Sequence, residues 1–187
     1  MKILCIFVTG IVIALSSYGT VFAADNKPKK LTGMERAKQF FASREAKALE
    51  QEFVGVHTSK GIQEGLFPIK STGVSTKPIV DAAKAYLAQL DDKKREKTLF
   101  AVDDIEWRQW LNVDNGIYDR QGISLKEMTP SQKALAFEML KASLSARGLQ
   151  QTRDIMKTDQ TLRELNNGAP HLDEELYFIT IMGEPSE

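Results

Sequence analysis

The stretch 175-ELYFITIMGEPSE-187 decides how the chain is read. In an extended segment Tyr177, Ile179 and Ile181 project to one side, and Leu176, Phe178, Thr180 and Met182 to the other. Side chains alternate with a period of two along a strand, so both faces here are apolar. That is the pattern of a strand covered on two sides. Such a strand needs neighbours, because a long, uncharged, apolar edge invites aggregation. The upstream pieces with strand character are 53–56 and 66–69, and the second holds Pro68, which has no N–H and suits an edge. The terminal strand, 176–182, therefore pairs either with those pieces or with residues outside the chain. The pattern favours the second option, with partners beyond Glu187 or in another chain. The 34–187 segment then reads as a single α+β domain that is the N-terminal part of a larger one.

The front of the chain reads differently. Met1 and Lys2 form a short basic start, residues 3–15 an apolar run, and Val21, Phe22 and Ala23 end in a small residue. The apolar run is shorter than the roughly 20 residues a membrane-spanning helix needs. The order is that of a secretory signal peptide over 1–23, so the chain is expected to be periplasmic or secreted, with no integral membrane segment after cleavage. Cys5 stands at the front of the apolar run, where a lipidated cysteine does not belong. Removing 23 of 187 residues leaves 164, and Lys2 and Cys5 go with them. The remainder carries 24 Lys and Arg, 25 Asp and Glu, and no cysteine. An exported domain without disulfides is held by its core. The near-neutral charge gives no reason to expect nucleic acid as partner. Residues 24–33 are polar and basic and read as a disordered leader.

The rest is mainly helical. Residues 34–51 carry one narrow apolar stripe. A loose hairpin is expected in 53–69 around the turn composition 58–61. Thr76 and Pro78 start a helix whose buried stripe is Ile79, Ala82, Ala83, Tyr86, Leu87 and Leu90. Short helices follow over 93–100 and 102–110. Residues 112–127 form the longest irregular stretch, a length that is often functional. At 129-TPSQ-132 Thr129 is an N-cap, Pro130 the first helical residue and Gln132 the reciprocal cap. That helix is expected to run through Leu135, Phe137, Leu140 and Leu144 to Arg147, with Gly148 as a left-handed stop. A last helix over 149–165 turns Ile155, Met156, Leu162 and Leu165 inward. The fold class is α+β, mainly helical, with a few short strands and one C-terminal apolar strand.

Candidate chemistry is sparse. Asp103 and Asp104 with Glu106, Trp107, Arg108 and Trp110 form the richest cluster. Carboxylates beside aromatic walls occur in sugar and peptide clefts. The competing reading is a helix cap, an acidic first turn and two core tryptophans. Asp103, Asp104 and Arg120 are the candidate catalytic groups; Trp107, Trp110 and Arg147 are the candidate ligand-binding ones. Arg120, Arg147 and Arg153 suit an anion, unless Arg147 satisfies the last carbonyls of its helix. Residues 72–76 resemble a phosphate loop only faintly, since the glycines and lysine of a P-loop are missing. His57 and His171 have no ligand-like neighbours at close spacing, so no metal and no cofactor are expected.

Five runs carry a resemblance: GLFPIKSTGVSTKPI (65–79), LFAVDDIEWRQWLN (99–112), RQGISLKEM (120–128), ASLSARGLQQTRDIM (142–156) and LYFITIMGEPS (176–186). In order and spacing the chain resembles the domain-of-unknown-function 3500 family from about Glu45 to Glu187. The resemblance implies longer relatives, with a tryptophan-rich strand and a Gly-His-His sequence after the Gly-Glu-Pro-Ser turn. It implies no established activity. Two functions remain open: an exported binding or structural domain without its own catalytic set, or part of a hydrolase-like or metal-dependent enzyme whose site is completed by further residues.

Overall fold

Short polar capping patterns set most of the helix starts. The computed structural model describes residues 30–68 and 70–187; the expected signal peptide and most of the expected leader lie outside the described residues. Helix α1 is Gly33–Leu49. Thr32 accepts from the Glu35 N–H while Glu35 accepts from the Thr32 N–H at 2.7 Å, a complete capping box. Thr32 and Gly33 therefore belong to the helix start and not to a disordered leader. Strands β1 (His57–Thr58) and β2 (Gly61–Ile62) form a tight antiparallel hairpin, with Thr58 opposite Gly61. The hairpin sits inside the piece read as its turn, and the apolar stretches at 53–56 and 66–68 do not pair. Gly61, at φ +97°, allows the reversal that a side chain would resist.

Helix α2 is Lys77–Ala88. Thr76 is not its side-chain cap, as expected from sequence; it sits in helical backbone, and the neighbouring Ser75 hydroxyl accepts the Lys77 N–H. Ala83, Tyr86, Leu87 and Leu90 are buried as expected and Ala82 is half-buried, while Val80 takes the inward place expected of Ile79, which is exposed. Helix α3 is Asp92–Thr98, capped by Asp91, and the chain then extends as β3, Leu99–Phe100. The helix expected over 102–110 is a single 3-10 turn, Ile105–Arg108, capped by Asp104. The long loop contains β4, Ile123–Ser124, and a second 3-10 turn, Leu125–Glu127, with a Ser124–Glu127 capping box.

Helix α4 is Pro130–Ser143, and its Thr129–Gln132 capping box is as read from sequence. It ends earlier than expected. Leu144 is extended, and Ser145 caps a new helix, α5, Ala146–Leu165, by accepting the Gly148 N–H at 3.0 Å. Gly148 is thus the third residue of α5 and not the stop of α4. Of the four residues expected to face inward on α5, only Met156 is buried; Ile155, Leu162 and Leu165 are exposed.

The core forms where α2 meets α4. Tyr86, Leu87 and Leu90 pack with Ile123, Leu125, Met128, Ala136 and Met156. Each fully buried large side chain contributes about 1.5–3 kcal/mol. Gln132 locks the layer: its amide donates to the Gln89 carbonyl at 2.8 Å while its oxygen accepts from the Thr129 N–H and from Lys94 Nζ. Leu31–Glu187 makes one unit, a mainly helical α+β domain.

The terminal segment folds against partners that the sequence reading passed over. Its two short strands are β5, Phe178–Ile179, and β6, Ile181–Met182. Strand β5 pairs antiparallel with β4, Ile123 opposite Ile179, and β6 pairs parallel with β3, Leu99 beside Ile181. Neither 53–69 nor any residue past Glu187 is needed for these ladders. The segment is half-buried on both faces: within 176–182 only Thr180 is exposed and no residue is fully buried. Its greasy pattern reflects contact with the core on one side through Tyr177, Ile179 and Ile181.

Candidate functional site

One edge of the terminal segment does all the pairing. The Leu125 N–H donates to the Tyr177 carbonyl at 3.0 Å, which makes 125/177 and 123/179 the hydrogen-bonded pairs of the antiparallel ladder. The Gly183 N–H donates to the Phe100 carbonyl at 2.8 Å, which turns Ile181 and Gly183 toward β3. Odd-numbered residues make the ladder bonds to β4 and to β3, and α3 contacts both of those strands. Backbone groups alternate along a strand, so Phe178, Thr180 and Met182 present N–H and C=O groups to the opposite edge. Leu176 opens that second edge, and its carbonyl accepts from Asn115 Nδ2.

Residues 176–182 of the terminal segment border a cleft of about 540 Å³, within the roughly 300–1,000 Å³ range of small-ligand sites. Leu176, Tyr177, Phe178, Thr180 and Met182 form one side. The 3-10 turn and its exit form the facing wall, with Glu106, Trp107, Gln109 and Trp110. Asn115, Tyr118, Arg120 and Gln121 close one end, and Asp159 of α5 also lines it. Trp107 is 46% exposed and Trp110 69%, so neither is the core residue that one sequence reading made it. Trp107 is steadied by Phe53, edge-on with ring centroids 4.8 Å apart.

The acidic and phenolic groups are arranged in pairs. The Tyr118 hydroxyl donates to Glu45 of α1, and Tyr177 donates to Asp159 at 2.6 Å. Burial raises both phenols above their ordinary range, and the carboxylate each one faces raises it further. Burial also pushes the Glu106 carboxyl up, and Asp104 and Glu45 push it the same way. Among the described residues Glu106 has no cation within salt-bridge distance. Arg108, its neighbour, instead donates to the carbonyls of Ala48 and Gln51 at the end of α1.

The sequence candidates separate on the structure. Trp107, Trp110 and Arg120 converge on the cleft, as does Glu106. Asp103 and Asp104 do not line it; Asp104 accepts the Glu106 N–H at 2.9 Å and serves as the cap of the 3-10 turn. The Arg120 guanidinium is committed to its own loop, donating to Asn115 Oδ1 at 2.7 Å and to the carbonyls of Leu111 and Val113. It positions the cleft end and has little left for an anion. Arg147 is exposed in the first turn of α5, away from the cleft, and not at a helix C-terminus. Arg153 covers the Phe137 ring at 5.0 Å. Among the described residues no three His, Cys, Asp or Glu side chains stand together as a metal site would require, and no helix is long and apolar enough to cross a membrane. Sequence reading missed Tyr118, Glu45, Tyr177 and Asp159, because the partners are 73 and 18 residues apart and share no local pattern.

Fold and site together define a mainly helical α+β domain with an aromatic cleft along an open strand edge. The model of one family, described as a protein of unknown function (DUF3500), matches residues 72–187. The chain belongs to that family. The match begins after the β1–β2 hairpin, so α1 and the hairpin lie outside it, although the resemblance was expected from about Glu45. No curated protein and no solved structure matches the chain.

Proposed function

We propose that the chain is an exported ligand-binding domain whose ligand occupies the cleft between the Trp107–Trp110 wall and the terminal segment. The observation that carries this reading is the pair of exposed tryptophans that line a cavity of ligand size together with the terminal segment. Large aromatic side chains left in water at the mouth of a cavity are a cost unless a ligand covers them. Export is supported by the basic, apolar and small-residue order of 1–23. The chain's only two tryptophans are Trp107 and Trp110, so intrinsic fluorescence reports on this site alone. A ligand from a panel of oligosaccharides and blocked peptides should shift that emission, and Trp110→Ala should abolish the shift. A panel that leaves emission unchanged while the protein is folded refutes the reading. Export is tested by fractionation and by sequencing the N-terminus, with Ala24 expected first.

A second reading has one specific observation in its favour. Glu106 is a carboxyl held up by burial and by two other carboxyl groups beside a cavity, which suits a general acid. It requires that Glu106→Gln lose a hydrolytic activity while retaining ligand binding. If Glu106→Gln alters binding alone, the binding reading stands.

A further inference from the structure

The second edge of the terminal segment sets out the chemistry of what it would receive. Phe178, Thr180 and Met182 each carry one N–H and one C=O directed away from β3 and β4. Alternate residues of an extended chain repeat every 6.4–6.8 Å or so. A row of donors and acceptors at that spacing is matched by another extended backbone, as in strand addition to a sheet edge. A sugar or a compact metabolite does not repeat its hydrogen-bonding groups at that interval.

The cleft also carries a charge preference. Its lining holds two carboxyl groups, Glu106 and Asp159, and one guanidinium, Arg120. The guanidinium spends three of its five N–H donors on Asn115, Leu111 and Val113, and its charge offsets one of the two carboxyl groups. Among the described residues neither Glu106 nor Asp159 has a cation within salt-bridge distance, and Asp159 accepts only the Tyr177 hydroxyl. The two carboxyl groups outnumber the one guanidinium, so a basic side chain entering the cleft would be favoured over an acidic one. Trp107 and Trp110 offer flat faces to the same incoming groups, which suits the stem or head of Lys or Arg.

We infer that the cleft receives an extended polypeptide segment bearing basic side chains, which adds as a strand to the open edge at Phe178, Thr180 and Met182 and lays alternate side chains on Trp107 and Trp110. This names the ligand class for the binding site proposed above and rests on that proposal. The backbone supplies affinity through the edge hydrogen bonds, and Glu106 and Asp159 select for charge. Side chains on the other face of the added strand point to solvent, so only every second position is read.

The test uses the full chain and three blocked heptapeptides: alternating lysine and valine, the same peptide N-methylated at every amide, and alternating glutamate and valine. Tryptophan emission reports binding, and amide hydrogen exchange by NMR reports on the edge. The lysine–valine peptide should shift the emission and slow exchange at Phe178, Thr180 and Met182. N-methylation removes the peptide's donors without altering the protein, and should weaken binding by about tenfold or more. The glutamate peptide should bind more weakly than the lysine peptide, and Glu106→Gln should narrow that difference. Equal binding of the N-methylated peptide overturns the inference, as does unchanged exchange at the three amides. A linear oligosaccharide that shifts the emission when no peptide does so would leave the binding site standing and sink strand addition. Failure of every probe would sink both. A self-associated protein whose three edge amides are already protected would assign the edge to a second copy and overturn the proposal.

Discussion

Replacing Gly122 by Ala is the sharpest single perturbation of the terminal pairing. A Cβ at Gly122 would lie 2.2 Å from the Ile179 carbonyl oxygen and 2.7 Å from its carbon. Both are backbone atoms, which have no rotamer by which to escape. Ordinary contact requires roughly 3.4 Å, so β5 must retreat by about 1 Å from β4. That retreat breaks the bonds of the 123/179 and 125/177 pairs, about 1 kcal/mol each over about three bonds. Gly122 also sits at φ +84°, where a side chain costs about 1–2 kcal/mol. The expected loss is about 4–5 kcal/mol, a large share of the 5–15 kcal/mol typical of a domain. Gly168→Ala is the matched control: its φ is +76°, yet nothing lies within 4 Å of the added Cβ. It should lose only the conformational part, about 1–2 kcal/mol. Urea unfolding followed by far-UV circular dichroism separates the two through their midpoints. Equal destabilisation by both substitutions would refute the close approach of β4 to β5.

Other outcomes follow from named contacts. Asp173 accepts from Lys126 at 2.6 Å, from Arg163 at 2.5 Å and from the Glu175 N–H at 2.9 Å; burial pushes its carboxyl up, but these partners outweigh it and hold it below the usual range. A carboxyl depressed by folding adds stability above its unfolded value near 3.9, and that stability disappears as pH falls through the lower folded value. Asp173→Asn should therefore flatten the acid limb of a melting-temperature profile and cost about 1–2 kcal/mol at neutral pH, limited because the Lys126 and Arg163 heads reach water. Thr129→Ala removes the hydroxyl of the α4 capping box and should cost about 1 kcal/mol in chemical denaturation. Tyr118→Phe removes the hydrogen bond to Glu45, and limited proteolysis should then cut α1 sooner while the α2–α4 core stays intact. Acrylamide should quench both tryptophans in the free protein, Trp110 more than Trp107, in line with their exposures.

Signals confined to a few neighbouring residues were legible in the sequence. The Thr129–Gln132 box placed the start of α4 because both partners lie within four residues. Two similar patterns, Thr32–Glu35 and Ser124–Glu127, follow the same rule and were available in the sequence without being used. The partners of the terminal segment were not legible. Strands β3 and β4 are two residues each, too short to show a period, and both are embedded between turns. The α4–α5 boundary was misplaced because Gly148 suits both a helix stop and a tight N-terminal turn, and only the backbone at Leu144 decides between them. Trp107 and Trp110 stand together in the sequence beside carboxylates, but their exposure depends on where the 3-10 turn lies against the segment 176–182. Glu106 was part of the cluster, and it lines the cleft from the 3-10 turn that Asp104 caps.

Amide hydrogen exchange along 177–183 in the ligand-free protein tests the account most directly, because the cleft and its open edge both depend on one-sided pairing. Ile179, Ile181 and Gly183 should be protected, while Phe178, Thr180 and Met182 exchange at rates close to those of exposed backbone. Protection spread evenly over both sets, or confined to the even-numbered residues, would contradict it.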